Sequence, residues 1–158
     1  MAIEKVRDYF RAFGMEDRIR EMDMSSATVE LAAKAVGTEP ARIAKTLSFK
    51  DEDGCILVVT AGDMKIDNSK FKKQFHMKAK MLTPEEVNAY TGHAIGGVCP
   101  FAVGDAVKVY TDISLQRFET VFPAAGSSNS AIELSCEELF KYSNSLGWID
   151  VSRSILNT

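Results

Sequence analysis

Ala44-Lys45-Thr46-Leu47-Ser48-Phe49-Lys50, a connection closed by Gly54, and Cys55-Ile56-Leu57-Val58-Val59-Thr60-Ala61 form the stretch on which the fold turns. Aliphatic, β-branched and aromatic residues dominate both arms and a glycine turn divides them, which is the pattern of a two-stranded hairpin. The second arm is apolar almost throughout. Such a strand needs cover on both faces, so it belongs at the centre of a sheet.

Upstream, Ile3, Val6, Phe10 and Phe13 recur at helical spacing before Gly14. Residues 28–36 predict a second helix, with Ser25, Ser26 and Thr28 as cap candidates, Leu31, Ala32 and Ala35 on one face, and Gly37 as the stop. Downstream, Thr83-Pro84-Glu85-Glu86 joins a capping threonine to a proline at the first helical position and a glutamate three residues after the cap, and Gly92 ends that helix. Strands are expected over 106–111, 118–123 and 131–134. Ser135-Cys136-Glu137-Glu138 is a further capping box, opening a helix to residue 145. Helices and strands mix without strict alternation. The expected fold class is α+β, with a mixed, largely antiparallel, curled and barrel-like sheet flanked by helices.

The chain has 158 residues, 46% hydrophobic and 26% charged, with a net charge of −3. That composition predicts one globular domain over residues 1–158 and excludes disordered, fibrous and membrane classes. Weak acidity also argues against a general nucleic-acid coat protein. The opening Met-Ala-Ile-Glu-Lys-Val-Arg-Asp is too charged for a signal-peptide core, and Cys55, Cys99 and Cys136 are odd in number and unlike in context, so a cytoplasmic location is expected. No cysteine pair or histidine motif has metal-ligand spacing, and no dinucleotide or P-loop fingerprint occurs. Neither a metal nor a cofactor is expected.

Local charge departs from the average. Residues 64–80 carry Lys65, Lys70, Lys72, Lys73, Lys78 and Lys80 against Asp67 alone. Two readings compete: a phosphate-contacting patch, or a solvated helix face with Phe71 and Phe75 turned inward.

Three further segments could carry chemistry. The period of two places Lys45 on the side of Leu47 and Phe49, facing apolar cover. There it is either a buried donor awaiting an anionic ligand, or a lysine snorkelling at a strand end beside Arg42. The loop Gly92-His93-Ala94-Ile95-Gly96-Gly97-Val98-Cys99-Pro100-Phe101 is either an ordinary tight connection or a turn that aims backbone N–H groups at a carbonyl or phosphate. Cys99 is a nucleophile served by His93 or His76, or a small buried apolar residue. Ala124-Ala125-Gly126-Ser127-Ser128-Asn129-Ser130 is a hydroxyl-rich loop that either lines the same pocket or is a plain turn.

Taken in order, these pieces resemble the YbaK/EbsC family of editing domains that deacylate mischarged tRNA, especially tRNA for proline. The resemblance covers most of the chain. It runs through Ser26-Ala27-Thr28-Val29-Glu30-Leu31-Ala32-Ala33, Ile43-Ala44-Lys45-Thr46-Leu47, Gly62-Asp63, Thr91-Gly92-His93, Gly96-Gly97-Val98-Cys99-Pro100-Phe101, and Gly126 before Ile132-Glu133-Leu134. It implies a trans-editing hydrolase for the ester of mischarged tRNA, with alanine or cysteine on tRNA for proline. The implied catalytic set is Lys45 with Gly97, Val98, Cys99 and Pro100, Cys99 lining the pocket rather than attacking. Implied substrate-binding positions are Thr28, Thr46, Gly96, Gly126, Ser127, Ser128 and Asn129, and Lys65, Lys70, Lys72 and Lys73 are the candidate tRNA contacts. Implied partners are the aminoacylated 3′ end of tRNA and prolyl-tRNA synthetase, with neither membrane nor DNA. Two other functions compete: a noncatalytic module that binds aminoacyl-tRNA or a synthetase in the same pocket, and a cysteine hydrolase built on Cys99 and His93. Ser127-Ser128-Asn129 departs from the more basic or acidic loop of some family members, which leaves the amino acid and the tRNA preferred open at the level of sequence.

Overall fold

The hairpin predicted from 44–50 and 55–61 is the spine of the structure, a computed structural model that describes residues 2–156. The chain opens with helix α1 (Ala2–Arg11), a turn of 3-10 helix and strand β1 (Ile19–Glu21). Helix α2 (Val29–Val36) follows, then β2 (Ile43–Asp51), β3 (Gly54–Ala61) and β4 (Met64–Ile66). Next come helices α3 (Asn68–Phe75) and α4 (Pro84–Thr91), then β5 (Val107–Asp112), β6 (Thr120–Pro123), β7 (Ser130–Ile132) and β8 (Leu134–Ser135). Helix α5 (Cys136–Tyr142) and strands β9 (Trp148–Ile149) and β10 (Ser152–Ser154) complete it.

The main sheet runs β8-β6-β2-β3-β5-β9, which puts β3 in the interior with every residue buried. Its pairings are mixed. β2 and β3, and β6 and β8, are antiparallel, whereas β2–β6, β3–β5 and β5–β9 are parallel. Antiparallel ribbons β1–β7 and β4–β10 extend it, and a bridge from Ala124 to Ala131 carries β6 round into β7, so the whole curls like a partial barrel. Alternation along β3 splits the core in two. Leu57 and Val59 face Val6, Phe10 and Phe101, while Ile56 and Val58 face Phe49, Phe71 and Val151.

The helix signals act as physical chemistry requires. Thr28, Thr83 and Ser135 each accept a backbone N–H in the first turn of the helix they cap, and the last two complete capping boxes. Four expectations need correction. α1 stops at Arg11, so Phe13 lies in the following turn, 47% exposed against Tyr9 and Tyr142. The expected strand 118–123 begins at Thr120, because Phe118 still closes a 3-10 turn onto Leu115. The expected strand 131–134 is two strands, since Glu133 turns its carboxylate to Thr120, Arg20 and Arg42 while its neighbours pair with β1 and β6. α5 ends at Tyr142, with Ser143 bonding back to Leu139. Of the competing readings for 64–80, the helix face is what α3 presents: Phe71 is fully buried and Phe75 packs on Tyr110, with Lys72 and Lys73 outside. Among the described residues no helix is long and apolar enough to cross a membrane.

Candidate functional site

β2, the start of α2, the loop after α4 and the end of β6 converge on a cavity of about 190 Å3. From β2 come Ala44, Thr46 and Ser48 on one face, and Ile43 and Lys45 at its opening. α2 contributes Thr28, Val29 and Ala32, and the loop contributes Ile95, Gly96 and Val98. Phe122, Ala124, Ser130 and Ala131 form the remaining wall, with Ser26 beside them. The segments around residues 45 and 96, distant in sequence, therefore meet in one site.

Lys45 is half-buried, and its Nζ donates to the main-chain oxygen of Met64 in β4. Burial lowers its pKa from the ordinary lysine range, against the opposing pull of Asp63 and Glu30. Asp63 is already committed: Arg117 grips its carboxylate in a two-pronged pair at 2.6 and 3.0 Å, which holds its pKa down. Among the described residues Lys45 has no carboxylate of its own within ion-pair distance. It is thus a directed cation whose present acceptor is a neutral carbonyl, ready to be exchanged for an anion.

The glycine loop is held by its own turn. Gly92 ends α4 with a φ of 75°, and Gly96 sits at φ 96°, where a side chain would be strained. The Gly97 N–H bonds the carbonyl of Ala94 at 3.0 Å. That removes one donor from the set expected of this loop. Gly96 and Val98 line the cavity, and their amides donate to no backbone acceptor among the described residues.

Cys99 and Pro100 turn away. Cys99 is fully buried in the main core, and Pro100 lines a second cavity of about 290 Å3 on the loop's other side, with Tyr9 and Val103. The structure does bring Cys99 Sγ within 3.4 Å of His93 Nε2. That nitrogen, however, lies 2.9 Å from the Phe101 carbonyl, which can only accept, so Nε2 carries the proton and cannot take one from the thiol. Burial pushes the Cys99 thiol up to about 12. A cysteine this buried and this weakly acidic is an inert packing residue, and the Cys99–His93 hydrolase loses its physical basis. His76, at the C-terminus of α3, is a helix cap at φ 60°.

The 124–130 segment divides likewise. Ser130 and Ala124 face the cavity, whereas Gly126 packs under Ala2 and Val6 of α1. Ser127, Ser128 and Asn129 stand behind the glycine loop instead of in the cavity. The Ser127 hydroxyl donates to Asn129 Oδ1 and lies 2.7 Å from the Ser130 hydroxyl, the Asn129 amide donates to the Met22 carbonyl, and the Ser128 carbonyl accepts the Ser26 N–H at 2.6 Å. They shape the wall without forming it. Ser26 and Ser48 are wall residues that sequence reasoning passed over as site members, whereas Ser130 belongs to the loop it offered; the alternation 44, 46, 48 was a signal for Ser48. The hydroxyls of Ser26 and Thr46 are buried without a partner.

Of the expected basic contacts, Lys65 lies on β4 next to the acceptor of Lys45. Lys72 and Lys73 are exposed on α3, whereas Lys70 is tied to Asp150 at 3.0 Å and to the Ser152 carbonyl. Among the described residues no group of three His, Cys, Asp or Glu side chains is placed to hold a metal ion.

Comparison with known proteins shows the family. A family model described as an aminoacyl-tRNA editing domain matches residues 24–142. The uncharacterized protein YwhH of Bacillus subtilis is 53% identical over 154 residues, covering 97% of this chain and 98% of the relative. EbsC of Enterococcus faecalis, provisionally named a Cys-tRNA(Pro)/Cys-tRNA(Cys) deacylase, is 28% identical over 74% of this chain and 73% of its own length. A proline–tRNA ligase of Thermotoga sp. (strain RQ2) is 32% identical over 92 residues, or 56% of this chain and 15% of the ligase. A crystal structure provisionally described as a trans-editing enzyme for prolyl-tRNA synthetase superposes with a TM-score of 0.87 at 28% identity, covering 97% of this chain and 98% of that one.

Proposed function

The chain belongs to the YbaK/EbsC family of aminoacyl-tRNA editing domains, and on that premise we propose that it is a trans-editing deacylase for tRNA for proline mischarged with alanine or cysteine. The observation that carries this reading is the meeting of Lys45 with Gly96 and Val98 around one small cavity. Pockets for drug-sized ligands occupy roughly 300–1,000 Å3, so a cavity of about 190 Å3 suits a small acyl group. Such a second, differently shaped site is what fidelity requires, because one methylene is worth only about 1–3 kcal/mol in a synthetase pocket.

The chemistry follows from what the wall contains. Among the described residues Lys45 is the only titratable side chain in it, with no His, Cys, Asp or Glu to act as general base. The proton of the attacking water therefore has to pass to a group that the substrate brings, and the free hydroxyl beside the ester on the terminal ribose is the nearest such group. Water oxygen bonds to the carbonyl carbon. The resulting oxyanion faces the Gly96 and Val98 amides, the bond to the ribose oxygen breaks, and the proton finishes on that oxygen, leaving free amino acid and tRNA. Lys45 trades the Met64 carbonyl for a phosphate or the ester oxygen at the tRNA end. Lys65, Lys72 and Lys73 offer further phosphate contacts beside it, Lys70 less so while paired to Asp150. A single editing domain acting in the cytoplasm, alongside prolyl-tRNA synthetase, completes the proposal. The likeness to part of the proline–tRNA ligases supports that last association.

The test is amino-acid release from alanyl-, cysteinyl- and prolyl-tRNA for proline. Release of the first two, with the prolyl ester spared by on the order of 10²-fold, is expected. No release from any of them would move the weight to a module that binds the aminoacylated end without cleaving it. Cys99→Ala is expected to keep turnover within about threefold of wild type, at a cost of roughly 1 kcal/mol of stability from lost packing. Alkylation that abolishes turnover of the folded protein would contradict the buried, inert thiol.

A further inference from the structure

His93 is the one buried histidine in the structure, fully excluded from solvent, and the chemistry above leaves it unused. Its position is specific. The backbone N–H of His93 donates to the Thr91 hydroxyl at 3.0 Å, and that hydroxyl in turn donates to the Val87 carbonyl of α4 at 2.6 Å. At the other end of the loop, ring Nε2 donates to the carbonyl of Phe101, whose own ring is packed edge-on to Phe10 of α1 at 4.9 Å. One residue, through its backbone N–H at one end and its ring at the other, thus ties both ends of the glycine loop to the core. Nδ1 is left buried with no partner, an arrangement that is costly for a residue present only to fill space. An apolar side chain would spare that nitrogen but leave the Phe101 carbonyl only the weak donor of the Cys99 thiol at 3.9 Å.

We propose that His93 is a positioning residue: its Nε2–H clasp on Phe101 closes the 93–101 loop and aims the Gly96 and Val98 amides at the cavity. The inference rests on the deacylase reading for its kinetic consequence, not for its geometry. Loop amides act only where the oxyanion forms, and an error of about 1 Å costs on the order of 10²-fold in rate. The ring touches Cys99, a neutral thiol, and burial lowers the pKa of the imidazole, the charge of Lys5 in α1 adding to that against the opposing bond to the Phe101 carbonyl. The clasp uses a proton present in both ionisation states. A histidine acting as general base would instead lose activity as it protonates.

Three measurements test this. His93→Phe is expected to lower kcat by on the order of 30–100-fold with KM little changed, and His93→Gln, which can place an N–H at the same carbonyl, to recover to within about fivefold of wild type. Wild-type kcat should be flat between about pH 5.5 and 7.5. Nitrogen-resolved NMR of the imidazole should show the Nε2–H tautomer with slow proton exchange. A folded His93→Phe protein of wild-type kcat, equal losses in both variants, or an Nδ1–H tautomer would overturn the clasp, the tautomer deciding the matter even if His93→Phe fails to fold. A wild type that releases no amino acid from any mischarged tRNA fails the deacylase reading instead, and the tautomer still reports on the clasp.

Discussion

Replacing Lys45 by alanine is expected to lower kcat/KM for mischarged tRNA by on the order of 10²–10³-fold, equivalent to about 3–4 kcal/mol of transition-state stabilisation. Three observations set that size. Lys45 is the only ionisable side chain in the cavity wall among the described residues, it is half-buried where electrostatic contacts are strong, and its present partner is an uncharged main-chain oxygen. Little in the fold depends on it, because Asp63 is already held by Arg117 and Met64 stays paired to Ser154 across β4–β10. The variant should therefore melt close to the wild type while single-turnover release collapses. Lys45→Arg should recover little, since a planar fork does not replace a compact ammonium in a fitted site. The sign of the pH effect is also fixed. Burial lowers the pKa of Lys45, so its charge is lost as pH rises through a value below the usual lysine range. Enzyme-dependent release, corrected for spontaneous ester hydrolysis, should fall on that alkaline limb in the wild type and lack the limb in Lys45→Ala. A Lys45→Ala protein with full turnover would remove Lys45 from the reaction.

What could be seen in the chain beforehand followed from how local each signal was. The β2–β3 hairpin and the three capped helices were legible because a period of two or a capping residue states its structure within a few positions. The strands β1, β4, β9 and β10 were not. Each is only two or three residues long and exists because a distant partner supplies its hydrogen bonds, as Ile132 does for Ile19 and Ile66 for Ser152. The break at Glu133 was hidden for the same reason, since its acceptors' partners, Arg20, Arg42 and Thr120, come from three separate elements.

The site was legible in the same uneven way. Lys45, Thr28 and Gly96 lie on the wall, and each was marked by a local oddity, a lysine in a strand, a cap and a glycine-rich turn, whereas Thr46 and Val98, also on the wall, came only with the resemblance. Side-chain direction within an irregular loop has no period. Cys99 and Pro100 were therefore indistinguishable in sequence from Val98, although the former packs in the core and the latter faces the second cavity. The serines 127 and 128 looked like ligands for a ribose or an acyl group, but they stand against Gly96 and Gly97 instead of on the cavity wall.

Gly97 makes that contact testable, and its substitution is the second large effect to expect. Its conformation does not demand glycine; the neighbouring backbone does. A Cβ built on Gly97 would lie 2.7 Å from both Cα and carbonyl C of Ser127 and 2.9 Å from its nitrogen, so a methyl group cannot enter unless one loop withdraws. Ser127 cannot withdraw easily, because its N–H and hydroxyl are bonded to Ser130 and Asn129 is bonded to Met22. The glycine loop must then shift, carrying the Gly96 and Val98 amides with it. A displacement of about 1 Å predicts a loss in kcat on the order of 10²-fold, with thermal stability lowered by roughly 1–3 kcal/mol from overpacking. Gly96→Ala is the informative contrast. Its Cβ would meet Ala27 at an ordinary 3.4 Å, so its penalty comes from the positive φ and not from collision. It should weaken the fold comparably but displace the Ser127 contact less. If Gly97→Ala released amino acid at the wild-type rate, the loop amides would not be the oxyanion donors, and Lys45 alone would be left to hold the developing charge.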